Sequence, residues 1–162
     1  MIRASRAVCT FAMCTNKRVL VASMGNPLID HDSIAYRVVE SLPDLPFIRK
    51  IHLFADPLSL VAVYREEDGI ILVDVCDSKN IHVMNAEEIH RVESKEISSH
   101  TIGIRSTMEM LNLVNHKISR IQKVFVFLPS GKHDPEKMKF FSSILMDIVR
   151  DFSNRCKSGD KL

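Results

Sequence analysis

The sequence lacks the features that mark membrane proteins, nucleic-acid-binding proteins and disulfide-stabilised proteins. No apolar run approaches the roughly 20 residues that a membrane-spanning helix needs. The 22 basic and 20 acidic residues leave a formal charge of only +2, and no cluster of Lys and Arg is interleaved with aromatic residues. Charge therefore favours neither nucleic acid nor an anionic membrane as a partner. The four cysteines form no C-x-x-C pair, and their scatter indicates reduced thiols in a cytoplasmic protein.

Several common catalytic signatures are missing as well. There is no G-x-x-x-x-G-K-[ST] phosphate loop, and the pair Gly25-Asn26 is too short for a dinucleotide-binding fingerprint. There is no G-x-S-x-G elbow that would present a nucleophilic serine. Cys76 has no positioned base in the sequence, so we interpret it as a buried structural thiol. Cys9 and Cys14 have no histidine nearby to complete a metal site.

The length and composition are typical of one globular domain. A chain of 162 residues is long enough to bury a full core. Its 46% of hydrophobic and 26% of charged residues are ordinary for a globular protein. Residues 1–16 carry two arginines and no acidic residue, and we expect them to be a disordered leader or to contain the true start at Met13. Residues 17–155 are predicted to form a single α/β domain, followed by a polar tail over 156–162.

The periodicity of apolar residues predicts strands that alternate with helices. Strands are predicted over 18–24, 48–54, 70–75, 81–84 and 124–128, and helices over 32–42, from Asp56-Pro57, from about 101 to 114 and from Asp134. The segment 85–99 is charged and is expected to be a loop or a short helix. This order predicts an α/β fold, a three-layer α/β/α sandwich around a mostly parallel twisted sheet. The unbroken apolar run at 70–75 indicates a central strand that is covered on both faces.

Three polar residues lie where the strands should end or the helices begin. Asp32 follows the first strand, Asp74 closes the most apolar strand, and His100 precedes a helix. Because ligands bind outside the carboxyl ends of the strands in open α/β sheets, these side chains could gather at one edge. Two carboxylates and an imidazole can hold a divalent transition metal with positions left open for a substrate.

Each of these residues also has a structural interpretation. Asp32 or Ser33 could cap the first helix, because their side-chain oxygens can accept its unpaired N–H groups. Asp74 could hydrogen-bond to a neighbouring loop, since a carboxylate inside an apolar strand is costly unless it is paired. His100 could be a surface histidine. Spacing alone does not decide between these roles.

The same residues resemble the hydrogenase maturation endopeptidases. The run V-L-V-A-S-M-G-N-P-L-I-D-H-D over 19–32 resembles the opening strand, G-N-x-L turn and acidic pair of that family. I-I-L-V-D-V resembles the buried strand that ends in an aspartate, and S-S-H-T-I-G resembles the histidine segment before a helix. The resemblance runs from Arg18 to the last helix, and it implies that Asp32, Asp74 and His100 are both the metal ligands and the catalytic residues.

The family implies a specific task. Its members remove a C-terminal extension from the large-subunit precursor of nickel–iron hydrogenase once nickel has been inserted. The resemblance therefore implies a cytoplasmic, monomeric, nickel-dependent peptidase whose partner is that precursor. The nickel would be supplied by the substrate or bound directly, and zinc could serve as a surrogate.

The sequence departs from the family pattern near this edge of the sheet. His31 stands at the first acidic position, Ser33 and Ala35 replace glycines, and the segment 54–57 (F-A-D-P) replaces a glycine-rich stretch. Lost glycines narrow the backbone conformations available to the cleft. Two alternatives therefore stay open: a divergent, non-catalytic metal- or protein-binding relative on the same scaffold, and an unrelated α/β hydrolase that uses the same edge.

Overall fold

Five strands form a single sheet. The computed structural model describes residues 17–54, 56–91 and 101–154; for 101–107 it describes the backbone only. The strands are β1 Val19–Ser23, β2 Ile48–His52, β3 Gly69–Cys76, β4 His82–Asn85 and β5 Gln122–Pro129. Their order across the sheet is β2-β1-β3-β5-β4. All neighbours are parallel except β4, which pairs antiparallel with β5 at one edge. The mostly parallel sheet predicted from the sequence is confirmed.

Helices cover both faces of this sheet. They are α1 Ile34–Glu40, a 3₁₀ turn Pro57–Ser59, α2 Leu60–Val63, α3 Ala86–Arg91, α4 Thr101–Val114, α5 His116–Arg120 and α6 Pro135–Asn154. Buried residues of α1 and α6 share one core with one face of the sheet, and buried residues of α2, α3, α4 and α5 share a second core with the other face. This is the predicted three-layer sandwich.

The alternation of strand side chains explains why the two cores are separate. Val19, Val21, Ile71 and Val73 face α1 and α6, whereas Leu20, Ala22, Ile70 and Leu72 face the opposite helical layer. Successive side chains of a strand point to opposite faces, so a strand apolar at every position must be covered on both sides. Every residue of β1 and β3 is buried. The prediction of a central, doubly covered strand at 70–75 is confirmed.

Two helix starts follow the capping rules. The Asp134 side chain accepts a hydrogen bond from the N–H of Lys137 at 2.7 Å, and Pro135 opens α6. The Asp56 side chain accepts one from the N–H of Leu58 at 3.0 Å, and Pro57 opens the 3₁₀ turn. In both cases a carboxylate satisfies an N–H that the helix leaves without a partner.

Two helices differ from the predictions. Helix α1 begins at Ile34 rather than 32, because residues 26–33 form a turn of their own. Helix α5 was not predicted; the Asn115 side chain caps it and Ile118 is its buried contact. The charged segment after β4 begins with α3, a short helix as one of the two expectations had it. Its remainder, 92–100, lies outside the described residues, as do the leader 1–16 and the tail. Within the described ranges, no helix combines the length and apolarity needed to cross a bilayer.

A candidate site at the carboxyl edge of the sheet

The strand order places a topological switch between β1 and β3. From β1 the chain passes through α1 to β2 on one side of β1, and from β3 it passes through β4, α3, α4 and α5 to β5 on the other side. The two connections lie on opposite faces of the sheet. They diverge beyond the carboxyl ends of β1 and β3, and such a crevice is where open α/β sheets bind ligands.

Asp32 lies in the loop that follows β1. Its Oδ2 accepts a hydrogen bond from the N–H of Asn26 at 2.6 Å, which turns the carboxylate back over the end of β1. The prediction that Asp32 or Ser33 caps α1 is therefore wrong. Ser33 occupies the N-cap position, but its hydroxyl donates to the carbonyl of Asp30 at 3.0 Å and makes no capping bond.

Asp74 is almost fully buried near the end of β3. It is 1% exposed, and its Oδ1 accepts a hydrogen bond from the N–H of Val75 at 2.7 Å. By alternation its side chain lies on the same face as Leu72 and Cys76. The N–H of Met24 donates to the carbonyl of Val73 at 2.8 Å, so the chain just beyond β1 lies beside Asp74. Asp32 and Asp74 thus belong to neighbouring segments at the switch.

His100, the third predicted ligand, lies outside the described residues. The helix that follows it, α4, packs on the Asp74 face through Met108 and Leu111. Among the described side chains no three of His, Cys, Asp and Glu are grouped so that they could hold a metal ion. The three-residue metal site therefore remains a prediction.

The thiol of Cys76 does not act as a nucleophile in this arrangement. Its side chain is buried, and that burial, with a smaller contribution from the negative charge of Asp74, raises the pKa of Cys76 to about 11. A thiol with such a pKa is protonated at neutral pH, and only the thiolate is reactive. The interpretation of Cys76 as a structural thiol is supported.

A polar chain that begins at the buried Ser23, and that the sequence did not reveal, lies at the same edge. Ser23 Oγ is 2.5 Å from His52 Nδ1, and His52 Nε2 is 2.7 Å from Glu40 Oε1. The ring of Tyr36 contacts the imidazole, with centroids 4.3 Å apart. Although the order resembles a serine–histidine–acid triad, Ser23 is only 2% exposed and cannot reach a substrate. We interpret the chain as a link that ties α1 to β1 and β2.

Gly25 sets the position of Asp32. Its φ is +114°, and a Cβ added there would lie 2.3 Å from the main-chain oxygen of Asp32 and 3.0 Å from its Oδ1. Gly131 has nearly the same φ, +111°, but nothing lies within 4 Å of its added Cβ. A comparison of substitutions at these two glycines therefore distinguishes the effect of backbone strain from that of a collision with Asp32.

We expect Gly25→Ala to destabilise the protein more than Gly131→Ala does. Strain at a positive φ costs about 1–3 kcal/mol at either position, and only Gly25→Ala adds the displacement of Asp32. Urea unfolding of both variants measures the difference, and hydrogen exchange at the Asn26 amide reports whether its bond to Asp32 is lost. Equal destabilisation, with unchanged protection at Asn26, would contradict this account.

Comparisons with known proteins agree on the fold. A scan against family models and a search of curated proteins find no match to the chain. Among solved structures, it is similar to the [NiFe] hydrogenase maturation protease HybD from Thermococcus kodakarensis, with a TM-score of 0.70 and 20% identity over 85% of this chain and 99% of that one. It is also similar to the hydrogenase maturating endopeptidase HybD from E. coli, with a TM-score of 0.65 and 18% identity over 83% and 93% of the chains.

The architecture and the switch-point edge define an open, doubly wound α/β protein. More narrowly, the chain has the fold of the hydrogenase maturation proteases, which confirms the resemblance predicted from its sequence. A third structure, the [NiFe] hydrogenase maturation protease HycI from Thermococcus kodakarensis KOD1, agrees, with a TM-score of 0.60 and 15% identity over 85% and 93% of the chains.

Proposed function

We propose that this chain is a peptidase of the hydrogenase maturation type, which removes a C-terminal extension from a nickel-loaded large-subunit precursor. One observation carries the proposal. Two carboxylates, Asp32 and Asp74, lie at the switch between β1 and β3, on a fold that this chain shares with hydrogenase maturation proteases. The proposal places the enzyme in the cytoplasm as a monomer.

The residues fit a site that recognises a metal carried by the substrate. A backbone N–H orients each carboxylate, Asn26 for Asp32 and Val75 for Asp74, and such supporting bonds hold metal ligands in place. With His100 they would give an O,O,N donor set that suits a divalent transition metal, leaving positions for groups of the substrate. We propose that all three contact the nickel of the precursor.

The two carboxylates differ in exposure, which suggests different roles within the proposed reaction. Asp74 is buried and supplies fixed negative charge at the end of β3. Asp32 is half-buried and reaches the solvent side of the edge, so it is the better placed to accept a proton from an attacking water. A substrate nickel held beside the cleaved bond could polarise the peptide carbonyl.

A processing assay tests the proposed function. We expect the chain to shorten a nickel-loaded large-subunit precursor, as seen in the intact mass of the product, and to leave the nickel-free precursor uncut. Calorimetry with Ni²⁺ and Zn²⁺ in the absence of precursor then shows whether the protein binds metal by itself. Equal cleavage of both precursors would contradict nickel recognition, and cleavage of neither would contradict the peptidase assignment.

A non-catalytic relative is the second candidate, and the conformation of Phe54 favours it. Phe54 has a φ of +52°, a region that glycine enters freely and a bulky side chain does not. It stands where the sequence departs from the glycine-rich stretch of the family, so the cleft has been remodelled. Such a protein would bind the loaded precursor without shortening it, and the same assay distinguishes the two.

A further inference from the structure

Exposed apolar side chains collect around the candidate site. Leu28 is 91% exposed and Phe54 is 56% exposed, and Ile29 and Leu58 are also open to solvent. All four lie in the two connections that leave the carboxyl ends of β1 and β2. Large apolar side chains normally enter the core, and a group of them left open at one edge marks an interaction surface.

Hydrogen bonds join these connections to Asp32. The N–H of Gly25 donates to the carbonyl of Phe54 at 2.7 Å, which places Phe54 beside the end of β1. The N–H of Leu28 donates to Asn26 Oδ1 at 2.9 Å, and the N–H of Asn26 donates to Asp32. The segments that carry Leu28, Phe54 and Asp32 are therefore joined by hydrogen bonds.

The backbone conformation of Phe54 indicates that the exposed ring has a functional role. A positive φ is unfavourable for a bulky residue, and such conformations concentrate at functional sites. Core packing does not account for Phe54, because more than half of its surface is open to solvent. Asn or Gly would fit the backbone with less strain, so what distinguishes phenylalanine at this position is its exposed ring.

We propose that Leu28, Ile29, Phe54 and Leu58 form a docking surface for an apolar stretch of the substrate polypeptide beside the bond that is cut. The inference rests on the proposed function and adds the class of segment that the site selects. Hydrogen bonds join the segments that carry Leu28 and Phe54 to Asp32, so a polypeptide bound at that carboxylate would run beside this surface. A second copy of the chain seated there would cover Asp32, which argues for substrate as the occupant.

The test compares two variants of the surface with two matched variants elsewhere. Leu28→Ser is paired with Leu113→Ser, an 81% exposed leucine on α4, and Phe54→Asn is paired with Phe140→Asn, a 58% exposed phenylalanine on α6. Asparagine tolerates the positive φ at Phe54. The readouts are the Kd for the nickel-loaded precursor, and the KM and kcat for its cleavage.

We expect Leu28→Ser and Phe54→Asn each to raise Kd and KM about tenfold, as loss of a buried apolar contact predicts, with kcat nearly unchanged. Leu113→Ser and Phe140→Asn should change neither Kd nor KM by more than about twofold.

If the wild-type chain binds and cuts the precursor but all four variants behave alike, the docking surface is wrong and the peptidase stands. If the wild-type chain does not bind the precursor, both proposals are wrong. Binding without cleavage, still weakened by the surface variants alone, supports the surface while removing the peptidase.

Discussion

The Asp74→Asn variant is expected to fold normally and to lose processing activity by a factor on the order of 10² to 10³. That is the scale of loss when one preorganised electrostatic contact to a reacting group is removed. Asparagine keeps an oxygen that can accept the hydrogen bond from the N–H of Val75, so the local geometry of β3 is retained. The substitution removes the negative charge, and in the proposed site that charge contacts the substrate nickel.

Thermal unfolding distinguishes the proposed role of Asp74 from a purely structural one. Asparagine keeps the size and shape of a side chain that is 1% exposed, so Asp74→Asn should still unfold in one cooperative transition while processing fails. Asp77→Asn, an exposed aspartate one residue beyond β3, is the matched control and should retain full activity. Full processing by a folded Asp74→Asn would contradict the site assignment.

The largest effect on stability is expected at Phe152, far from this site. Its ring covers Gly69 at the start of β3 so closely that a Cβ on Gly69 would lie 1.9 Å from Phe152 Cζ. Phe152→Ala should destabilise the protein by about 3–5 kcal/mol, the usual cost of emptying a buried aromatic site. For a domain of this size the unfolding temperature should fall by roughly 10 °C or more. Phe140→Ala, on the exposed face of α6, is the control and should change little.

A double-mutant cycle tests the contact itself. Gly69→Ala alone should be destabilising, because the ring has no room to retreat in a packed core. In a Phe152→Ala background the added methyl group enters the space that the ring has left, so the same substitution should cost much less. Additive effects, measured by urea unfolding, would show that the two residues are not coupled.

The central strands and the last helix were predictable because their signals are long and consistent. Every residue of β3 is apolar except Gly69 and Asp74, and the sequence placed this strand at the centre of the sheet. The stripe from Met138 to Phe152 and the Asp134-Pro135 start predicted α6, and the structure buries that stripe against α1 and the sheet. Agreement between periodicity and capping is what makes such predictions reliable.

The features that the sequence did not predict depend on short elements, on local hydrogen bonds or on contacts made only in the assembled fold. Helix α5 has five residues and one buried contact, Ile118, which is too short for periodicity to show. The Asp32 side chain accepts a hydrogen bond from Asn26 in the turn and does not cap α1, a choice that depends on the folded turn. The exposure of Leu28 and the Ser23–His52–Glu40 chain depend on which strands become neighbours, and a one-dimensional pattern does not carry that information.

The pairing of β1 with β3 also fixes when the site can exist during folding. β1 pairs with β3 in the register Val19 to Gly69, so this step closes a loop of about fifty residues. Closing such a loop costs chain entropy before any contact repays it, and parallel pairing of this kind is slow. Asp32 and Asp74 come together only when that loop closes. We propose that this edge recognises nickel, and it is built by a long-range pairing of strands. A chain that has formed only its local helices has no site with which to misread an unfinished precursor.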